Sequence, residues 1–122
     1  MDGKKILVVD DDEVFLKLIE NDLTKVGYTV ITVNNGKDAI TSAKLEHPNL
    51  ILLDVSLPEM DGREITRILE NEPDTKNIPI IYVTALVSEE EAFVSRHIKG
   101  KHFIAKPYNL NTLLVQVEKY MS

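Results

Sequence analysis

The sequence contains no cysteine, which excludes disulfides and thiolate metal sites and suits a reducing, cytoplasmic setting. Glycine and proline are not in excess, at five each, and no low-complexity tract or internal repeat interrupts the chain. Positive charge is the scarcer sign: 14 Lys and Arg against 20 Asp and Glu leave a net charge of −6, with no Lys/Arg cluster. That balance argues against direct nucleic-acid binding, which needs a clustered positive surface. No apolar run approaches a membrane span, and the first residues pass straight into a strand without a signal-peptide pattern. What is present is 43% hydrophobic and 28% charged residues in a length of 122, enough for one domain with a real core. The expectation is a soluble cytoplasmic domain that touches neither membrane nor nucleic acid directly.

Apolar runs and helical stripes alternate along the chain. Ile6–Val9 is an unbroken apolar run ending on Asp10, Asp11 and Asp12, as suits a strand buried on both faces of a parallel sheet. A helix follows with Phe15, Leu18, Ile19, Leu23 and Val26 on one side, closed by Gly27 where a left-handed residue is wanted. Tyr28–Val33 reads as a strand, Asn34 to Gly36 as a turn, and Lys37–Glu46 as a helix that stops before Pro48. Leu50–Leu53 repeats the first pattern and ends on Asp54. A loop from Ser56 to Gly62 leads into a helix with Ile65, Ile68 and Leu69 inward, and Asn71–Asn77 reads as a surface connection. Ile78–Val83 is a fourth strand ending at Thr84, and Ser88 with Glu91 has capping-box spacing for a fourth helix. His102–Ala105 is a fifth strand ending at Lys106 and Pro107, and a last helix turns Leu110, Leu113, Leu114, Val117 and Met121 to one side. Strand–helix alternation of this kind predicts an α/β fold, a doubly wound five-stranded parallel sheet with right-handed crossovers. Ligands of such sheets bind beyond the carboxyl ends of the strands.

The residues just past those ends are Asp10, Asp11, Asp12, Asp54, Thr84 and Lys106. Gathered on one edge, they would put several carboxylates, a hydroxyl and an ammonium into a small volume. The carboxylates repel one another unless a cation is present. An all-oxygen cluster without His or Cys selects a hard ion such as Mg²⁺, with Mn²⁺ as a substitute, whose shell a phosphate completes. Lys106 could neutralise phosphoryl oxygens and Thr84 could donate a hydrogen bond to one. The chemistry indicated is phosphoryl transfer to a carboxylate.

An acidic pair after the first strand, Leu-Asp-Val-Ser-Leu-Pro-Glu-Met-Asp-Gly after the third, Thr-Ala after the fourth and Lys-Pro after the fifth together resemble a known signature. It is that of the receiver domain of two-component response regulators, and the resemblance runs from about Lys5 to Met121. It implies a flavodoxin-like (βα)5 fold with strand order 2-1-3-4-5, and a single receiver domain over residues 1–122 with no output domain in this chain. On that resemblance Asp54 is the phosphoacceptor, attacking the phosphorus of a phosphohistidine on a sensor histidine kinase or histidine phosphotransfer protein. Asp11, Asp54 and the backbone carbonyl of Ser56 would bind the metal directly, and Asp10 mainly through a metal-bound water. Thr84, the backbone of Ala85 and Lys106 would stabilise the phosphoryl group. Thr84 and Phe103 would act as the switch, and the Lys106–Pro107 peptide would be cis. The domain would catalyse only its own phosphorylation and dephosphorylation, and would report its state through the fourth helix, fifth strand and fifth helix.

Plainer readings compete. Asp12 reads as a helix start and carries no metal role. His47, His97 and His102 read as surface residues, Glu89 to Glu91 as a helix N-terminal charge run, and Phe103 equally well as core. Asp10-Asp11-Asp12-Glu13-Val14 also fits the Asp-x-Asp-x-Val pattern of haloacid-dehalogenase-type phosphatases, with Asp10 as nucleophile, but no Asp follows Lys106 and Asp54 is left without a task. A flavin-binding module would need a hydroxyl-rich phosphate loop after the first strand, where three aspartates stand. Gly100-Lys101-His102 lacks the acidic pair of receivers that dimerise through salt bridges, so a monomer or weak dimer is expected. Residues two past the phosphoacceptor and two past the threonine, here Ser56 and Leu86, tune phosphoryl lifetime in the family. Leu86 has no polar atom to orient water, so Leu86→Glu should speed loss of the phosphoryl group in a hydrolysis time course. An unchanged or slower decay would refute this.

Overall fold

A computed structural model describes residues 4–85 and 102–121. The elements are β1 (Lys5–Val9), α1 (Glu13–Lys25), β2 (Thr29–Val33), α2 (Gly36–Glu46), β3 (Leu50–Leu53), α3 (Gly62–Glu70), β4 (Ile80–Thr84), β5 (His102–Ala105) and a last helix, α4 (Leu110–Met121). The five strands form one sheet in the order β2-β1-β3-β4-β5, with every pairing parallel. The helix expected to open at Ser88 and Glu91, together with Leu86, Glu89, Glu90 and His97, lies outside the described residues.

Strand alternation divides the core in two. Ile6, Val8, Leu50, Leu52, Ile81 and Val83 pack with α1 and α4, whereas Leu7, Val9, Ile51, Leu53, Ile80 and Tyr82 pack with α2 and α3. The central strands are therefore apolar on both faces, which is why their runs show no alternation. Each of α1, α2 and α3 is started by a side-chain cap: Asp12 accepts from Val14 N and Phe15 N, Asn35 from Asp38 N, and Asp61 from Arg63 N and Glu64 N. Asn35 is thus a cap and not part of a free turn, and α2 begins at Gly36. Gly27, with φ of 103°, closes α1 in the left-handed region as expected.

Four expectations are corrected. The buried stripe of α1 is Phe15, Leu16, Ile19 and Leu23; Leu18 is 53% exposed because it lies off that stripe, and Val26 is exposed as the residue that caps the helix. Leu110, at the start of α4, is likewise exposed. The Asn71–Asn77 connection is not all surface. Thr75 is buried there, its hydroxyl donating to the Leu69 carbonyl at 2.6 Å and tying the loop to the end of α3. β4 starts at Ile80, two residues later than expected, because Pro79 has no N–H for a ladder and contributes only its carbonyl, to Ile51 N at 3.0 Å.

Tyr82 anchors α3 to the sheet. Its hydroxyl lies 2.5 Å from Thr66 Oγ1, and Thr66 Oγ1 donates to the Gly62 carbonyl at 2.7 Å. A hydroxyl has one hydrogen, so Tyr82 must donate to Thr66. Burial pushes the Tyr82 phenol up to about 12 from 10.0, against the smaller pull of the Thr66 hydrogen bond. The unfolded chain loses this proton near its ordinary value while the folded chain keeps it. The stability tied to the neutral phenol is therefore complete below pH 10 and falls as pH rises from 10 to about 12. Urea titrations should find wild type more stable than Tyr82→Phe by about 1 kcal/mol at pH 8. The advantage should shrink above pH 10; a difference constant to pH 12 would count against the assignment.

Candidate phosphoryl and metal site

Four strand ends, those of β1, β3, β4 and β5, meet at the carboxyl edge of the sheet. Asp10 N donates to Val33 O at 3.2 Å and Asp54 N to Val9 O at 3.0 Å, so the ladders of β2 and β1 set both backbones just past the apolar runs. Lys106 N donates to Thr84 O at 3.0 Å, and Thr84 pairs with Ala105, which brings the ends of β4 and β5 to the same edge.

The side chains converge. Lys106 Nζ lies 2.5 Å from Asp10 Oδ2 and 3.2 Å from Asp54 Oδ2. One carboxylate oxygen each from Asp10, Asp11 and Asp54 lie within 4.8 Å of one another, the one such group among the described residues. Asp10 is 1% and Asp54 6% exposed, while Asp11 faces solvent. The second oxygens are committed locally: Asp10 Oδ1 accepts from Asp12 N at 2.9 Å, and Asp54 Oδ1 from Ser56 N at 3.1 Å.

Burial is the largest influence on Asp10 and raises its carboxyl above 3.8; the close Lys106 ammonium opposes it and the charge of Asp54 adds to it. Burial alone would lower the Lys106 ammonium, but the two carboxylates outweigh it and hold it above 10.5. Lys106 is thus a firm cation at neutral pH. Two of the three buried side-chain atoms without a hydrogen-bond partner among the described residues sit here, Asp10 Oδ2 and Thr84 Oγ1. Asp10 Oδ2 has its ion pair with Lys106 but no hydrogen bond of ordinary geometry, and the Thr84 hydroxyl has no partner among the described residues. A buried hydroxyl is seldom left so, and an oxyanion at this edge would give it an acceptor.

The donor set also fits a hard divalent ion: three carboxylates, no nitrogen or sulfur, and one of the three open to water. Asp12 stays outside the cluster as the cap of α1. Ser56 is exposed and contributes its amide to Asp54; Ala85 is exposed beyond β4. The Lys106–Pro107 peptide is cis. Phe103 is half-buried, its ring stacked on Tyr82 with centroids 5.2 Å apart.

Two residues matter here that the sequence did not single out. A Cβ on Gly62 would meet Asp54 O at 2.7 Å and Val55 Cα at 2.9 Å, so only glycine lets the start of α3 close onto the Asp54 turn. The signal was its place in the Asp-Gly pair of the loop. Phe15 read as plain core, yet its ring centroid is 4.5 Å from Lys106 Nζ, and nothing in its helical spacing could show that.

Comparison with known proteins gives the family. Residues 6–118 match the model of the response regulator receiver domain. The chain is 36% identical over 118 residues to the "Probable transcriptional regulator ycf27" of Cyanophora paradoxa, covering 97% of this chain and 48% of that protein. It thus spans about half the length of the first curated relatives it matches. It is 30% identical to the polar-differentiation response regulator DivK of Brucella ovis, covering 97% of this chain and 96% of that protein. The receiver domain of a sensor histidine kinase from Pseudomonas aeruginosa, with a magnesium ion coordinated in its active-site cleft, superposes with a TM-score of 0.87 at 29% identity, covering 97% of each chain. The haloacid-dehalogenase reading of Asp10 gains no support. The chain belongs to the receiver-domain family of two-component response regulators.

Proposed function

We propose that Asp54 accepts a phosphoryl group from a phosphohistidine on a sensor histidine kinase or histidine phosphotransfer protein. The observation that carries the reading is the Asp54 carboxylate itself, set among two further carboxylates and 3.2 Å from a half-buried ammonium at the edge of the sheet. In the transfer the P–N bond to imidazole breaks as a P–O bond to an Asp54 oxygen forms, and the imidazole leaves with the electron pair. Ser56 N holds one Asp54 oxygen, which fixes the plane of the carboxylate and leaves the other oxygen to attack. Lys106, already charged, follows the new negative charge from the carboxylate to the phosphoryl oxygens. Thr84 supplies a hydroxyl donor that has no partner among the described residues, and the backbone of Ala85 adds a second donor.

Asp10, Asp11 and Asp54, with the Ser56 carbonyl, would hold Mg²⁺ or Mn²⁺. Bound there, the ion would draw charge off the phosphoryl oxygens and relieve the repulsion among the three carboxylates. Phosphorylation adds about −1.5 to −2 of charge. Turning Thr84 toward that charge opens space on the sheet face where Phe103 lies, and so shifts the balance between two conformations. The domain modifies itself and turns over no separate substrate.

Beryllofluoride, a phosphoryl mimic, is the test. With Mg²⁺ present, wild type should saturate and shift the amide resonances of β4 and β5. Asp54→Ala should abolish the response, Asp11→Asn should weaken it about tenfold or more in Mg²⁺, and chelation should reverse it. If Asp54→Ala still responds and Asp10→Ala does not, the phosphoacceptor assignment is wrong.

A further inference from the structure

Lys106 has one neighbour more than its two carboxylates. An ammonium carries three N–H donors. Asp10 at 2.5 Å and Asp54 at 3.2 Å face two of them, and the ring of Phe15, with its centroid 4.5 Å from Nζ, stands on a further side. The lysine side chain is 16% exposed, so this contact is largely shielded from water. A cation over an aromatic face is drawn to the ring quadrupole, and more strongly when desolvated.

The ring is itself held. Tyr108 meets Phe15 edge-on, with centroids 5.9 Å apart at 87°. The Tyr108 hydroxyl donates to the Asp22 carboxylate. Burial first, and then the neighbouring Asp22 carboxylate, raises the Tyr108 phenol well above its ordinary range, so it remains a neutral donor. Asp22 lies two helical turns beyond Phe15, on the same side of α1. Tyr108 lies two residues beyond Lys106. One helix therefore grips the Lys106–Tyr108 segment at two points, by a ring against the ammonium and by a carboxylate against the phenol.

Lysine is a compact charge on a flexible stem, and two carboxylates alone do not fix where it sits. A third carboxylate would hold it too firmly and add repulsion. An aromatic face attracts the cation without bringing net charge, and leaves it able to slide toward a phosphoryl group. We propose that Phe15 is a positioning residue, which keeps the Lys106 ammonium at Asp54 through a cation–π contact while the Tyr108–Asp22 hydrogen bond fixes the ring. The proposal rests on Asp54 as phosphoacceptor; Phe15 touches neither reacting atom.

NMR of the wild-type chain should find the Lys106 ε-methylene protons shifted upfield by the ring current. Phe15→Leu should abolish that shift and slow labelling of Asp54 by acetyl phosphate roughly three- to tenfold. Phe15→Tyr should restore both, and Asp22→Asn should cause an intermediate loss. Ordinary Lys106 shifts in folded wild type would overturn the proposal, even if the leucine variant fails to fold. So would leucine and tyrosine variants that label at the same rate. If wild-type Asp54 takes no label at all, the phosphoacceptor reading fails instead, and the NMR result still decides the contact.

Discussion

The site depends on one ammonium holding carboxylates together. Asp10 and Asp54 are both buried, with oxygens no more than 4.8 Å apart, where two negative charges repel by about 3–4 kcal/mol at an effective dielectric near 20. Lys106 lies at 2.5 and 3.2 Å from them, and the same arithmetic gives attractions of about 5–7 kcal/mol each before desolvation. Attraction wins because the unlike charges are the closer ones. Removing the lysine would leave two buried like charges facing each other, which is far costlier than losing an exposed pair such as Lys44–Glu72. The raised proton affinity of Asp10 shows that even with Lys106 in place the repulsion and burial are not fully offset.

What carries these charged residues to one edge is backbone built from apolar sequence. The ladders carry Asp10, Asp54 and the Thr84–Lys106 link to a common edge, while the fully buried runs behind them leave the strands no register in which a polar residue could enter the core. The loop after Asp54 is drawn in as well. Gly62 N donates to Val55 O at 2.8 Å, an approach that any side chain at that position would block.

This division explains what the sequence could tell. β1, β3 and their terminal aspartates were legible because unbroken apolar runs admit few alternatives, and the helix caps at Asp12 and the closure at Gly27 follow from local chemistry. Leu18 misled because α1's apolar residues cover more than one face, and only packing decides which is buried. Thr75 was illegible for a related reason: its burial depends on a carbonyl at the end of α3, not on its polar neighbours. The Phe15–Lys106 contact joins residues far apart in the chain, each with an adequate local role, so no periodic pattern could announce it.

The two halves of β4 differ in how much freedom they retain. Tyr82 is fixed at its hydroxyl through Thr66 to the Gly62 carbonyl, and so to the helix that closes on the Asp54 turn. Thr84, two residues on along the same face, has a buried hydroxyl with no partner among the described residues. Phe103 stacks on the fixed ring, and its strand neighbour Ala105 pairs with the unsatisfied threonine. A new acceptor beside Asp54 would therefore act on the one element of this pair that gains a hydrogen bond by moving. On that reading the rigid partner would give Phe103 a defined place to leave. On the proposed function, a fixed ring beside a hydroxyl that has no partner among the described residues would let a change at one carboxylate become a choice between two packings, and not a diffuse relaxation.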